Sequence, residues 1–209
     1  MRPRTSTISP DSPAKKVREA QRLQTRALVF DAAVTEIGRS GLAGADVAAI
    51  ATAAGVSRGT FYFHFPTKEH VLVELERAEE DKIVAKLANP TATPADLISV
   101  LTLLVREVLA AERRLGPVVF RDMLGLHFVA TRPVEDELAQ HPLAAFVIAA
   151  IAEAQRTKRV LSEAKADELG VIFLSGLFAL LTTGAASPRA RAALLDRYVT
   201  TIVRGMEAR

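Results

Sequence analysis

The pattern of apolar and polar positions predicts a helical chain. Apolar residues recur at spacings of three and four along most of the sequence, which places them on one face of a helix. No alternation with a period of two runs long enough to predict a strand, and no internal repeat is visible. We therefore predict an all-α fold, divided into helices by glycines, prolines and capping residues.

The first predicted helix covers residues 22–40 and carries a single apolar stripe. The stripe consists of Val29, Phe30, Ala33, Val34 and Ile37. Gly41 follows, at a position where a glycine commonly ends a helix. Residues 1–21 are rich in Pro, Ser, Thr, Lys and Arg, a composition that is typical of a disordered tail.

Two short helices joined by a glycine turn are predicted between residues 46 and 64. Asp46 can cap the first of them, because its side-chain oxygen can accept an otherwise unpaired backbone N–H. Gly55 permits a tight turn, since glycine adopts positive φ without steric cost. Ser57 can cap the second helix, which covers residues 58–64. This combination predicts a helix-turn-helix unit within an N-terminal three-helix domain.

Positive charge is concentrated in the same part of the chain. Residues 1–68 hold 10 Lys and Arg against 5 Asp and Glu, whereas the remainder holds 17 against 19. A basic region around a helix-turn-helix unit is typical of contact with DNA phosphates. The alternative interpretation of this charge distribution is a basic tail that only keeps the protein soluble. Residues 1–21 could equally serve as an arm that contacts DNA or have no role.

The second short helix carries chemistry suited to DNA. Arg58 can bind the O6 and N7 edge of a guanine in the major groove, or a phosphate. Thr60 can donate to a phosphate or contact a thymine methyl group, and Gly59 leaves room for close approach of the DNA. Tyr62 and His64 also lie on this helix. The alternative to a DNA contact for these two residues is that they pack between helices.

The run from Ala51 to Glu69 resembles the DNA-binding domain of the tetracycline-repressor (TetR) family. The resemblance covers roughly residues 25–72, and its most specific part is the TFYFHFPTKE segment at residues 60–69. It implies a transcriptional repressor that binds a palindromic double-stranded DNA operator as a homodimer. The DNA contacts that we predict are Thr25, Arg26, Ser57, Arg58, Gly59, Thr60, Tyr62, His64 and Lys68.

The first short helix departs from the family pattern. Ala45 and Asp46 stand where a pair of hydroxyl residues often donates to phosphate, and a carboxylate there would repel phosphate. Ala48 and Ala49 also lack polar groups. We therefore expect most of the DNA readout to come from the second short helix.

Six further helices are predicted after Pro66. They cover residues 68–87, 95–113, 117–131, 142–158, 162–183 and 188–206. We predict a tail at residues 1–21, a DNA-binding domain at 22–78 and a C-terminal ligand-binding and dimerisation domain at 79–209. The helix at 68–87 is expected to turn its acidic residues towards water, namely Glu74, Glu76, Glu79, Glu80 and Asp81.

The last two predicted helices are more apolar than a surface helix requires. A helix that is apolar on nearly all sides must be covered on all of them. The TetR resemblance implies that these helices pair with those of a second subunit in a four-helix interface. The predicted interface comprises Leu169, Phe173, Gly176, Leu177, Leu180, Leu195, Val199 and Ile202. The alternative is that both helices are buried within one chain.

Large apolar residues in the C-terminal half suit a cavity for an unknown small apolar effector that releases the DNA. The predicted lining is Phe120, Met123, Leu124, His127, Phe128, Phe146 and Phe173, with His127 as a polar anchor. The alternative is a fully packed core, which would make the protein a ligand-independent regulator or an interaction module.

Other classes of function find little support in the sequence. Without cysteine there can be no disulfide, thiolate nucleophile or Cys-based zinc site, and the four histidines have no metal-ligand spacing. We therefore expect no metal site, no cofactor and no enzymatic activity, since an enzyme would need a polar cluster that the sequence does not indicate. The most apolar run, residues 171–181, is too short to cross a bilayer, and no signal peptide is visible, so we expect a cytoplasmic protein.

Overall fold

The computed structural model of the protein describes residues 13–88, 96–133, 141–183 and 187–207. These residues form nine α-helices and one 3-10 turn, and their only β-type pairing is a single bridge between Val160 and Glu207. The helices are α1 (Pro13–Gly44), α2 (Val47–Ala53), α3 (Arg58–His64), α4 (Lys68–Leu87), α5 (Leu97–Leu115), α6 (Pro117–Gly125), α7 (Pro142–Arg156), α8 (Ala166–Thr182) and α9 (Pro188–Met206). The predicted all-α fold is confirmed.

The first helix begins earlier than the sequence pattern predicted. α1 starts at Pro13 instead of residue 22, so residues 13–21 are helical and not part of a disordered tail. Strong helix formers dominate this segment, and the Arg22 guanidinium pairs with Glu19 one turn away at 2.6 Å. A composition rich in charge therefore favoured an exposed helix here. Residues 1–12 lie outside the described part of the chain.

Gly41 breaks α1 where the sequence predicted its end. Its φ of 72° belongs to the left-handed region, and one further turn then reaches Gly44. The break turns the chain towards α2, and the Asp46 side chain caps α2 by accepting the Ala48 N–H at 2.9 Å.

A small N-terminal core closes the helix-turn-helix unit. Its buried residues come from α1, α2, α3, the residue after α3, and the start of α4: Val29, Ala33, Val47, Ile50, Phe61, Phe65 and Val71. Phe61 and Phe65 are four residues apart, so both point inward from one side of α3. The opposite side of α3 is thereby left facing outward.

A larger core joins α4 to the helices that follow, and includes Ile37 from α1 and Leu72 from α4. α8 lies among α6, α7 and α9. It approaches α7 closely, because a Cβ at Gly170 would come within 2.7 Å of the Ile148 side chain. Since α1 and α4 contribute to both cores, they connect the N-terminal helices to the C-terminal ones. The domain boundary at residue 78 stays a prediction.

Some C-terminal helices are shorter than predicted. α6 ends at Gly125 and continues as a 3-10 turn over Leu126–Phe128, and α8 begins at Ala166 instead of residue 162. The Gln155 side chain holds the loop before α8 in a non-helical path by donating to the carbonyls of Leu161 and Ala164, both at 2.8 Å. The predicted linker at residues 89–94 and the turn at residue 184 lie outside the described residues.

Candidate nucleic-acid interface and the helices behind it

The α3 helix is positioned by its own cap. Ser57 accepts the Thr60 N–H at 3.1 Å, and the two hydroxyl oxygens lie 2.9 Å apart. These bonds fix the first turn of α3 and confirm Ser57 as a helix cap. They also occupy the Ser57 hydroxyl, which we had predicted as a DNA contact.

The outward side of α3 combines a cation with aromatic rings. Arg58 and Gly59 are exposed, Thr60 is half-buried, and Tyr62 and Phe63 are 47% and 72% exposed. Phe63 is a residue that the sequence reasoning did not assign. The sequence nevertheless indicated that Phe63 faces outward, because Phe61 and Phe65 already occupy the inward positions at helical spacing.

His64 lies at the edge of this surface and is half-buried, with its ring 5.0 Å from that of Phe63. Burial lowers the pKa of His64, and the positive charges of Arg26 and Arg22 lower it further. The imidazole is therefore neutral at pH 7 in the free protein and can donate a single hydrogen bond.

Arg26 is engaged inside the protein. Both of its terminal nitrogens pair with the two carboxylate oxygens of Glu74, and its guanidinium carbon lies 4.4 Å from the centre of the Phe65 ring. The pair ties α1 to α4. The neighbouring Thr25 is half-buried. Arg26 is therefore paired with Glu74 in the chain without DNA, and its predicted contact with DNA stays a prediction.

Lys68 also has internal partners. Its ammonium donates to the carbonyl oxygens of Leu42 and Ala45, both at 2.7 Å. Leu42 belongs to the last turn of α1 and Ala45 to the link that follows it, so Lys68 fixes this turn against the start of α4. Its position supports a structural role more directly than a phosphate contact.

The same turn is joined to the C-terminal helices. The Leu42 N–H donates to the Asp122 carboxylate of α6 at 2.7 Å. An open cleft of about 600 Å³ lies beside this junction, with Lys68 and Glu69 on one side and Arg121 and Val129 on the other. Movement of α6 would therefore act directly on the end of α1.

The predicted effector pocket is not assembled as one cavity. Three of its residues, Phe120, Met123 and Leu124, line a buried cavity of about 20 Å³ between α4, α5 and α6. That volume holds about one water molecule. Phe146 lies in a separate groove beside Leu97.

Two predicted lining residues point elsewhere. Phe128 is 51% exposed, because α6 ends at Gly125. The 3-10 turn that follows directs its side chains differently from a continued α-helix. Phe173 is buried against α9, where its ring stacks on Tyr198 at 5.6 Å. Both placements correct the predicted pocket.

A cluster of buried polar side chains lies beside the small cavity. It consists of Glu76, Glu80, His127, Arg132 and His141, and we call it the buried glutamate–histidine cluster. The predicted outward direction of Glu76, Glu79 and Glu80 was therefore wrong. Glu79 is buried too and pairs with Lys82 and Arg114, each at 2.6 Å. The cluster could not be predicted from the sequence, because Glu76 and His127 are 51 residues apart along the chain.

The histidines hold the two carboxylates of the cluster. His127 Nε2 lies 2.6 Å from Glu76, and His141 Nδ1 lies 3.1 Å from Glu80. Burial raises the pKa of Glu80, while the hydrogen bond from His141 opposes the rise. The cluster joins α4 to α7 and to the turn after α6.

The predicted interface residues divide into two groups. Phe173, Leu177, Leu195 and Val199 are buried within the single chain, so they belong to its core. The half-buried group comprises Leu169, Gly176, Leu180 and Ile202. Ile172, which the prediction omitted, is 56% exposed on α8. A helix that is apolar all round does not reveal which side its own chain covers.

Gly176 is required by packing inside the chain. A Cβ there would come within 2.3 Å of the Tyr198 hydroxyl, which donates to the Phe173 carbonyl at 2.6 Å. Burial raises the pKa of Tyr198 to about 12, so the hydroxyl keeps its proton.

Among the described residues, no helix is both long and apolar enough to cross a membrane.

The N-terminal helices are similar to those of a known protein family. Residues 29–75 match the family described as bacterial regulatory proteins, tetR family. A stretch of 96 residues is 34% identical to the HTH-type transcriptional regulator AcrR of Shigella flexneri. The match covers 46% of this chain and 42% of that protein, so it spans less than half of the relative.

Solved structures share the fold over most of the chain. The Thermus thermophilus repressor FadR, in complex with lauroyl-CoA, has a TM-score of 0.73 at 22% identity, covering 88% of this chain and 96% of that one. The fatty acid degradation regulator FadR of Bacillus halodurans has a TM-score of 0.60 at 24% identity, covering 87% and 99%. At these identities the likeness shows the fold alone.

Proposed function

We propose that this chain, a member of the TetR family of bacterial regulatory proteins, represses transcription by binding a palindromic DNA operator as a homodimer. The observation that carries the proposal is the outward side of α3, where Arg58, Tyr62 and Phe63 stand exposed on a capped helix. An exposed arginine and aromatic rings on the second helix of a helix-turn-helix unit suit insertion into the major groove.

Each residue on this surface has a role in the proposal. Arg58 reads a guanine edge, and Phe63 contacts a thymine methyl group. Tyr62 and His64 donate to backbone phosphates, while Gly59 lets the DNA approach closely. Thr60 is half-buried and is partly committed to the cap, so we assign it a phosphate contact only.

Dimerisation uses the side of α8 and α9 that the chain leaves uncovered. Ile172 and Leu194 are exposed there, beside the half-buried Leu169, Leu180 and Ile202. Pairing this face with a second copy would remove the apolar side chains from water. It would also present two α3 helices to successive major grooves, about 34–36 Å apart.

Replacing Arg58 with alanine is expected to cost about 1–3 kcal/mol in operator binding and to relax the preference at one base pair. The operator is first found by selecting bound sequences from random DNA, and both proteins are then titrated against it and its single-base variants. Unchanged affinity and unchanged base preference would show that Arg58 does not read the DNA.

Lys68→Met provides a matched control for this experiment. Because the Lys68 ammonium is held by two carbonyls, its loss should lower stability by about 1.5–3 kcal/mol and leave the salt dependence of operator binding unchanged. A phosphate-contacting lysine would instead reduce the salt slope by about one.

The effector part of the proposal rests on the cavity beside Phe120, Met123 and Leu124. Lauroyl-CoA is bound by the FadR of Thermus thermophilus, whose fold this chain shares. In this chain an apolar ligand requires the helices around the cavity to separate, since about 20 Å³ admits only a water molecule. α4 would transmit the movement, because it starts beside α3 and lines the cavity with Ile83.

The small cavity also favours a second candidate function, that of a ligand-independent regulator. Thermal-shift screening of apolar compounds with one or two hydrogen-bonding groups separates the two candidates. An effector should raise the melting temperature and lower operator affinity about 5–150-fold. Phe120→Ala should alter that response, whereas Phe146→Ala, in a separate groove, should not. If no compound produces both effects, the ligand-independent function is favoured.

A further inference from the structure

Residues 15–24 of α1 project beyond the N-terminal core, and we call them the α1 extension. Every one of them is exposed, and the first buried residue of the helix is Val29. An isolated helix of this length is marginal in water, because its first turn is costly to form. Here the segment continues a helix that packing holds further along, so no new first turn has to form. The α1 extension therefore presents its side chains on a rigid support.

Positive charge forms a stripe along one side of the α1 extension. Lys15, Arg18 and Arg22 follow one another at spacings of three and four residues, and Arg26 continues the series after four more. Residues at these spacings share one side of a helix. A helix that needed charge only to stay in solution would not have to place it on a single side. The opposite side is uncharged and consists of Val17, Gln21, Gln24 and Leu28.

The acidic residues nearby do not balance the stripe. Residues 13–26 hold five Lys and Arg against a single carboxylate, Glu19, which pairs with Arg22 at 2.6 Å. Lys15 and Arg18 make no hydrogen bond or ion pair with the described residues. Like charges four residues apart on a helix, as at Arg18 and Arg22, repel each other. A row of anions along this side of α1 would turn that repulsion into attraction.

The stripe leads to the proposed DNA surface of α3. At its inner end, the Arg26 guanidinium lies over the ring of Phe65, the residue that directly follows α3. After burial, the charges of Arg26 and Arg22 are the causes that lower the pKa of His64, so both guanidinium groups lie near the end of α3. His64 is itself a proposed phosphate contact. The stripe on the α1 extension therefore continues the surface with which α3 would meet the DNA backbone.

We propose that Lys15 and Arg18 bind phosphates of the operator backbone, which makes the α1 extension a second DNA-contacting element beside α3. This contact rests on the proposed operator binding and adds to it. At a rise of about 1.5 Å per residue, the extension spans about 15 Å. Each DNA strand carries a phosphate about every 3.4 Å along its axis, so several phosphates lie within that length. Phosphate contacts carry no sequence information, so the extension strengthens binding to every sequence alike.

The test compares the full-length wild type with the double variant Lys15→Gln/Arg18→Gln over a series of salt concentrations. Both proteins are titrated against the selected operator, its single-base variants and an unrelated duplex. The double variant should lower the salt slope by about 1.8 for each chain bound, because two phosphate contacts are lost. Affinity should fall by the same factor for the operator and the unrelated duplex, with base preference unchanged. Melting should stay within about 0.5 kcal/mol of the wild type, since both positions are exposed.

Arg106→Gln/Arg156→Gln is the matched control, because it removes the same charge from exposed positions on α5 and α7. It should keep the wild-type salt slope. A slope that the Lys15→Gln/Arg18→Gln variant leaves unchanged would mean that the stripe only faces water, and an equal fall in the control would mean that overall charge is responsible. Either result overturns the α1 contact while the wild type still binds its operator. A wild type that binds no DNA would instead remove the proposed function itself.

Discussion

A glutamate in place of Ile172 is expected to convert the proposed homodimer into a folded monomer and to weaken operator binding at least about 100-fold. Ile172 is 56% exposed on α8, so a charge there costs the single chain little. In the proposed dimer both copies would bury that charge without a partner, at a cost of several kcal/mol. A monomer binds one half-site and loses the gain from simultaneous binding of two.

Leu177→Glu is the matched control on the same helix. Leu177 is completely buried inside the chain, so a charge there should unfold the protein instead of dissociating a folded dimer. Sedimentation at micromolar concentration and thermal melting followed by circular dichroism distinguish these two outcomes. If Ile172→Glu remains dimeric with wild-type operator affinity, the interface lies elsewhere. A wild-type monomer would remove the dimer proposal.

The parts of the structure that local interactions determine could be predicted from the sequence. The caps at Asp46 and Ser57 involve residues two or three positions away, and the break at Gly41 depends on one backbone conformation. The inward positions of Phe61 and Phe65 follow from their spacing alone. These features are enough to place the exposed side of α3, which carries the proposed DNA contacts.

Partners that are distant along the chain could not be predicted. Arg26 and Lys68 had the charge expected of phosphate contacts, but the sequence did not indicate that Glu74 binds Arg26, or that the carbonyls of Leu42 and Ala45 bind Lys68, within the chain. Because acidic residues usually face water, the predicted direction of Glu76 missed His127, which the turn after α6 brings within 2.6 Å. Charge and spacing indicate what a side chain can bind, while the tertiary contacts decide what it does bind.

The same limit applies to α8. Its residues are apolar on nearly every side, so the sequence pattern could not separate Leu177, which the chain's own helices cover, from Ile172, which they leave exposed. The choice depends on how α6, α7 and α9 pack around α8. Helix periodicity therefore predicted the existence of a buried helix, and only the packed structure identified its free side.

Replacing Phe61 with alanine is expected to abolish operator binding by unfolding the N-terminal core. Phe61 is fully buried and its ring lies 6.2 Å from that of Phe65, so truncation leaves a cavity at the centre of a small cluster. The expected cost is about 3–5 kcal/mol. Because α5 to α9 pack in the larger core, we expect thermal melting to show an early transition for the N-terminal helices and a later one close to that of the wild type.

Phe63→Ala removes the same kind of ring from the same helix at its exposed side. Its melting should stay within about 0.5 kcal/mol of the wild type, since Phe63 is 72% exposed. Its operator affinity should fall nonetheless, because the proposed thymine contact is lost. Weaker binding with unchanged melting would therefore assign Phe63 to the DNA surface, whereas Phe61→Ala should change both. Wild-type melting and operator binding by Phe61→Ala would show that the N-terminal core does not depend on this ring.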